Sequence, residues 1–258
     1  RKWYGNREYI INWKNDGQAI KEYGHLVPRS MSYQMMESIS WSKVSSGAIA
    51  VRGFPAGTMF DVAGLSYFPT LEEYRYQIEA FINSSTAGKF LQFLAPTLNF
   101  EVGSVTSLPV QQAMFSNATI SSIGASCESL SKVDYDAFEI SWDFTTHPLC
   151  LPSEPLIERQ FARWSSECLE RFRTLKSNEE ELNRIFARIY HMEGEVPIEV
   201  PDDKVSVRLA DRGRDVRSLL SYAVGCLLGR YSLDVPGLVL ADQGDGTEEY
   251  LAKVPSPT

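Results

Sequence analysis

The chain has 258 residues, 43% of them hydrophobic, and a formal net charge of −8, which describes a globular protein large enough for one large domain or two smaller ones. No apolar run reaches the roughly 20 residues of a membrane-crossing helix, and no signal-peptide core follows Arg1-Lys2-Trp3-Tyr4, so no membrane partner is expected. The acidity argues against nucleic acid for the chain as a whole, but residues 1–61 carry eight Lys/Arg against five Asp/Glu, whereas residues 127–258 carry fifteen against twenty-four, so only the front suits a phosphate backbone.

In chain order, "ISWSKV" (39–44), "GAIAVRGF" (47–54) and "TMFDVAGLSYF" (58–68) read as strands separated by Ser/Gly and Pro/Gly turns. Thr70 then reads as a helix N-cap with Glu73 at the capping-box position, and Leu71, Tyr74, Ile78, Phe81 and Ile82 share one helical face. A second helix, "TAGKFLQFLA", stops at Pro96. "TLNFEVGSVTSLPV" (97–110) follows, too polar for a core strand and, with Gly103, a poor helix.

Beyond residue 115 the pattern is helical. Ile120, Ile123, Cys127, Leu130 and Val133 recur by threes and fours. Residues 154–192 predict one or two long helices, with "KSNEEELNR" as a cap and bend and Glu179 to Glu181 in a first turn. Residues 209–229 predict another helix, with Val216, Leu219, Leu220, Ala223 and Leu227 inward. The fold class is therefore α+β: a mixed-strand domain over 1–115, then a mainly helical region over 116–258. A first residue other than Met and an uncapped end, "LAKVPSPT", read as a piece of a longer protein.

Catalytic chemistry has no foothold. There is no GxxxxGK[ST] loop, no GxGxxG after a strand and no GxSxG. "DQGDGTEEY" (242–250) mimics a calcium loop, but Gly244 and Gly246 stand where oxygen ligands belong, which leaves a turn. The four cysteines (127, 150, 168, 226) form no CxxC and share no ligand spacing with the histidines, so reduced core thiols in a cytoplasmic protein are expected, with no metal.

Six blocks carry a resemblance: "KWYGNREYIINWKNDG" (2–17), "ISWSKVSSGAIAVRGFPAGTMFDVAG" (39–64), "APTLNFEVGSVTSLPV" (95–110), "SWDFTTHPL" (141–149), "NEEELNRIFARIY" (178–190) and "SLLSYAVGCLLGRYSLD" (218–234). In order, they resemble the part downstream of the catalytic domain in PglX-type adenine-specific DNA methyltransferases of bacterial BREX phage-defence systems. That family's [ND]PP[YF] motif and FxGxG-like cofactor turn are absent here. The resemblance thus implies a DNA target-recognition domain and a helical spacer, with S-adenosylmethionine and catalysis belonging to an upstream domain that this chain lacks. "TLNFEVGSVTSLPV" is similar to the exit of target-recognition domains in type I specificity subunits; by its residues alone it reads equally as a polar loop closed by proline.

With double-stranded DNA as partner, the residues suited to phosphates and base edges are Arg29, Ser30, Tyr33 and Gln34 in "VPRSMSYQ", Lys43, Ser45 and Ser46 in "WSKVSSG", Arg52 in its strand, and Asn99. For each the alternative is a solvated surface group. Trp3, Trp13 and Trp41 read as core. The competing function is a protein-interaction module, in which the acidic helical half docks other defence proteins or is captured by a phage inhibitor.

Overall fold

The computed structural model describes residues 1–23, 30–45, 47–71, 74–151 and 153–257. The fold is α+β, a small antiparallel sheet among helices that dominate the second half. Two compact units divide the chain: residues 1–131 with 175–206, and residues 132–174 with 207–258. The first holds all of 1–115.

In the first unit, β1 (Ser38–Ser42) lies between β2 (Val51–Phe54) and β3 (Gly64–Tyr67) in the order β2-β1-β3. Ile39 stands opposite Gly53 and Tyr67, and Trp41 opposite Val51 and Leu65. Side chains alternate between faces along a strand, yet Ser38, Ile39, Ser40 and Trp41 are all buried, so both faces of β1 are covered. The free edge of β2 is closed too. Trp3 N donates to the Val51 carbonyl at 2.9 Å, Gly53 N donates to the Trp3 carbonyl at 3.1 Å, and the Asn83 carboxamide brackets the Val51 backbone at 3.0 Å on each side. The strands are shorter than their apolar runs. Residues 58 and 60 bond backward to Met35 and Gln34 instead of joining the ladder.

Helix α1 (Lys14–Glu22) opens with Asn15, Asp16 and Gly17 in left-handed conformation before turning regular. Helices α2 (Arg75–Asn83) and α3 (Ser85–Leu94) follow the sheet. Helix α2 begins at Arg75 with Tyr74 in the N-cap position and no side-chain cap bond; the cap expected at Thr70 would act on residues 72 and 73, the latter the capping-box Glu73, and both lie outside the described residues. A tertiary contact holds its first residue. Arg75 lies across β2 where Gly53 leaves room; a Cβ at Gly53 would stand 1.9 Å from Arg75 Nη2. There Arg75 bonds Glu128 Oε2 at 2.6 Å and pairs with Glu37 at 3.1 Å. Ser84 caps α3 by accepting from Ala87 N at 3.2 Å.

The polar stretch at 97–110 contains a short helix after all, α4 (Val102–Thr106), followed by α5 (Gln112–Phe115). Within it the hydroxyls of Thr106 and Ser107 bond back to the carbonyls of Val102 and Gly103. Leu108 is buried, and the Tyr190 hydroxyl donates to the Pro109 carbonyl at 2.6 Å while accepting from Gln111 N at 3.2 Å, which pins the exit.

Helices α6 (Ala118–Asp136) and α7 (Ile157–Ile189) each contribute residues to both units. No helix ends or starts at "KSNEEELNR": the block lies within the 33 residues of α7. The block lies in mid-helix, and its polar groups are satisfied by other segments. Asn178 donates to Ser126 Oγ at 3.1 Å; Glu179 accepts from Trp3 Nε1 at 2.6 Å and from Lys2 Nζ at 3.4 Å; Glu180 accepts from Val200 N at 3.1 Å. Asn183 accepts from Ser85 N at 2.9 Å and donates to the Ile198 carbonyl at 3.1 Å. Phe81, stacked on Tyr190 at 5.1 Å and tilted against Phe186 at 5.5 Å, fills the core beside them.

The second unit packs Phe138, Leu149, Trp164 and Cys168 in one cluster and Phe144, Tyr222 and Tyr231 in another. Trp164 Nε1 donates to Asp215 Oδ2 at 3.0 Å, on α8 (Arg212–Leu227), and α9 (Thr247–Lys253) closes the chain. Asp211 caps α8 by accepting from Arg214 N at 2.6 Å. Helix α8 turns the opposite way from its apolar pattern: Asp215, Tyr222 and Gly225 are buried, whereas Val216, Leu220, Ala223 and Leu227 are exposed and Leu219 is half-buried. Gly225 decides this. A Cβ there would meet the Tyr231 ring at 2.6 Å, so only this glycine face admits the ring.

Two measurements test these contacts. Glu179→Ala leaves the buried Trp3 N–H without a partner and should cost roughly 1–3 kcal/mol in denaturant unfolding, whereas Glu181→Ala, at a half-exposed side chain, should change stability by less than about 0.5 kcal/mol. Glu79 is fully buried behind the sheet, neither carboxyl oxygen has a partner of good geometry, and its pKa is held well above the usual 4.5. Burial is the main cause and Glu128 adds to it, while Arg75 and the Gly53 backbone pull the other way. The folded chain keeps this proton at pH values where the unfolded chain releases it, so stability falls as pH rises above the unfolded value. Thermal melts of Glu79→Gln should show a flatter pH dependence above pH 4.5 and a higher Tm than the parent at pH 8.

Candidate nucleic-acid interface

Three of the candidate residues meet along one seam. Beyond β1, Phe100 N donates to the Lys43 carbonyl at 2.7 Å, Ser45 N donates to the Leu98 carbonyl at 3.0 Å, and Val44 bridges Asn99. The Trp41 indole fixes the seam from inside, donating to the Phe100 carbonyl at 2.8 Å. Lys43, Ser45 and Asn99 thus project from two backbone segments that are tied together. The Lys43 ammonium lies 2.8 Å from Glu101 Oε1, a pair exposed enough for solvent to compete. Ser45 Oγ donates to the Ala48 carbonyl and accepts from Gly47 N, each at 3.3 Å, shaping the turn. The Asn99 side chain is exposed.

A second group lies on the loop before β1. Ser30 adopts φ 53° and begins a single 3-10 turn, Met31–Tyr33. Tyr33 is 47% exposed, with its ring 5.0 Å from Phe68. Gln34 behaves as a piece of backbone: its amide donates to the Phe60 carbonyl at 3.0 Å and its oxygen accepts from Phe60 N at 3.1 Å. Both ends of the carboxamide that would read a purine hold the loop in place. Arg29 and Ser46 lie outside the described residues.

Arg52 faces inward and is 5% exposed. Its guanidinium donates to the Arg1 carbonyl at 3.3 Å and Ser42 Oγ at 3.1 Å, and burial lowers its pKa from the ordinary arginine value. In this conformation it joins the amino-terminal segment to the sheet. Its place on β2 opposite the buried Ser40 was legible only once the register was known. Trp3 and Trp41 are core, and Trp13 is half-buried against Gly17.

Elsewhere the chemistry is quiet. The four thiols are free, and burial pushes Cys168 up to about 11 and Cys127 higher still, which keeps both protonated and unreactive. Burial lowers His147 to about 4, so its ring is neutral, with Nδ1 accepting from Leu149 N at 3.2 Å. Among the described residues no three His, Cys, Asp or Glu side chains form a metal-binding group, and no helix is long and apolar enough to cross a membrane.

Sequence reasoning missed the polar contacts that support the seam: Glu179 with Lys2 and Trp3, and Arg75 under Gly53. An acidic triplet inside an apolar stripe was the available signal for the first, and it reads just as well as a solvated face.

No family model matches the chain. It is 39% identical over 270 residues to the adenine-specific methyltransferase PglX of Lacticaseibacillus casei (strain Zhang), a match covering 99% of this chain and 22% of that protein. It is 30% identical over 267 residues to the adenine-specific methyltransferase BrxX of Escherichia coli O9:H4 (strain HS), covering 95% of this chain and 21% of that protein. The chain spans about a fifth of the length of these relatives. Along almost its whole length it is therefore a counterpart of one segment of the PglX and BrxX adenine-specific methyltransferases.

Proposed function

We propose that this chain is the DNA target-recognition segment of an adenine-specific methyltransferase of phage defence, selecting the sequence at which a catalytic domain outside the chain transfers a methyl group from S-adenosylmethionine to adenine. The observation that carries the reading is the near-complete match to a fifth of two adenine-specific methyltransferases, in a chain with no motif for cofactor or flipped base. The excess of Lys and Arg over Asp and Glu in residues 1–61 supports it, as does the polar seam built there.

On this reading the contacts divide by how exposed each side chain is, with the Lys43–Glu101 pair and the weak 3.3 Å bonds of Ser45 giving way to DNA. Lys43 and the hydroxyl of Ser45 hold phosphate; Asn99, and Ser30 with Tyr33 on the other loop, reach toward sugar or base edges. Arg29 and Ser46 join them on sequence grounds alone. Gln34 and Arg52 hold the scaffold under the contacting loops. Double-stranded DNA in the cytoplasm is the partner, and S-adenosylmethionine binds the domain outside this chain.

Alone, the chain should bind DNA weakly and electrostatically: with 3 to 5 phosphate contacts the log–log salt slope is roughly −3 to −4.5. Binding that persists with a flat salt response would defeat the proposal.

The decisive substitutions belong in the intact methyltransferase, read by sequencing methylated adenines. Lys43→Ala should weaken all sequences about equally and reduce the salt slope by about one. Asn99→Ala should cost about 1–3 kcal/mol on the cognate site and relax one base position. An unchanged motif and efficiency in Asn99→Ala, Tyr33→Ala and Ser30→Ala together would place base reading elsewhere.

A further inference from the structure

We propose that the outward face of α8 is a docking surface for an amphipathic helix with acidic flanks, supplied by the part of the longer polypeptide that lies beyond this chain. Val216, Leu220, Ala223, Val224 and Leu227 recur at the three- and four-residue spacing that makes one helical stripe, about 16 Å long at 1.5 Å per residue. The stripe is bare: Val216 is 36% exposed, Leu220 61%, Val224 53% and Leu227 85%. The opposite face of the same helix is occupied within the second unit by Asp215, Tyr222 and Gly225. The orientation is locked by the Trp164–Asp215 bond at 3.0 Å and by the Tyr231 ring against Gly225, so α8 cannot roll its stripe inward. Single exposed apolar residues are ordinary, but a contiguous helical stripe marks an interaction surface.

Two features of the chain indicate the occupant. At 100° per residue, Arg212 and Arg217 fall on the two sides of the stripe, and both are exposed, which favours carboxylates along the flanks of a partner helix. The relatives extend nearly five times the length matched here, so most of the polypeptide that would surround this segment lies outside it. The inference rests on the reading that this chain belongs to such a longer protein, but not on DNA recognition.

The test compares the chain and the full-length polypeptide by amide hydrogen exchange, with Leu220→Glu/Leu227→Glu and Arg212→Glu/Arg217→Glu in each. Docking predicts exchange over residues 216–227 at least about tenfold slower in the full-length protein, restored to the rate of the isolated chain by the leucine pair and moved in the same direction by the arginine pair. The isolated chain should stay monomeric and keep its melting temperature with the leucine pair. Equal exchange rates in the two proteins would overturn the proposal. So would an isolated chain that dimerises through this face, one that is destabilised by the leucine pair, or a natural polypeptide no longer than this chain. A leucine-pair variant that loses α8 protection but keeps its methylated motif separates this outcome from failure of the DNA reading.

Discussion

The first unit depends on one polar turn and a half in the middle of α7. Asn178, Glu179, Glu180 and Asn183 tie four segments together: Asn178 bonds α6, Glu179 the amino-terminal Lys2-Trp3, Asn183 the start of α3, and Glu180 and Asn183 both the backbone over residues 198–200. A buried donor left unpaired costs more than an average hydrogen bond gains, so these contacts specify arrangement as much as they add stability. Through Trp3, whose backbone also bridges β2, the hub reaches the sheet from which the candidate seam projects.

The sheet is held from its other side by charge in a dry place. Arg75 occupies the space that Gly53 leaves and lies between Glu37 and Glu128, while burial holds the pKa of Glu79 behind it well above the usual carboxylate range. One cation shared by carboxylates of different burial is an economical way to fix a helix against a strand, and it ties stability to pH without touching the seam. Residues that looked equally polar in sequence thereby differ: Gln34 and Arg52 have their polar groups bonded within the fold, Lys43 pairs with Glu101 and Ser45 shapes its own turn at half-exposed positions, and Ser30, Tyr33 and Asn99 are exposed.

The second unit holds free thiols, a neutral histidine and a helix whose exposed apolar stripe lies between two exposed arginines.

Composition and periodicity determined the α+β class, the three strand segments, the helices on either side of residue 115 and the absence of nucleotide-binding motifs, because these depend on local spacing of apolar and turn residues. The ordered blocks determined the relationship to adenine-specific methyltransferases. Only tertiary structure decided that α7 continues through the polar block, that the apolar side of α8 faces out, that Gln34 is bonded to Phe60 and that Arg52 turns inward. Those outcomes are set by partners outside the element's own periodicity, Trp3 for Glu179, Tyr231 for Gly225, Phe60 for Gln34 and the Arg1 carbonyl for Arg52, and periodicity within one segment carries no information about what stands opposite it.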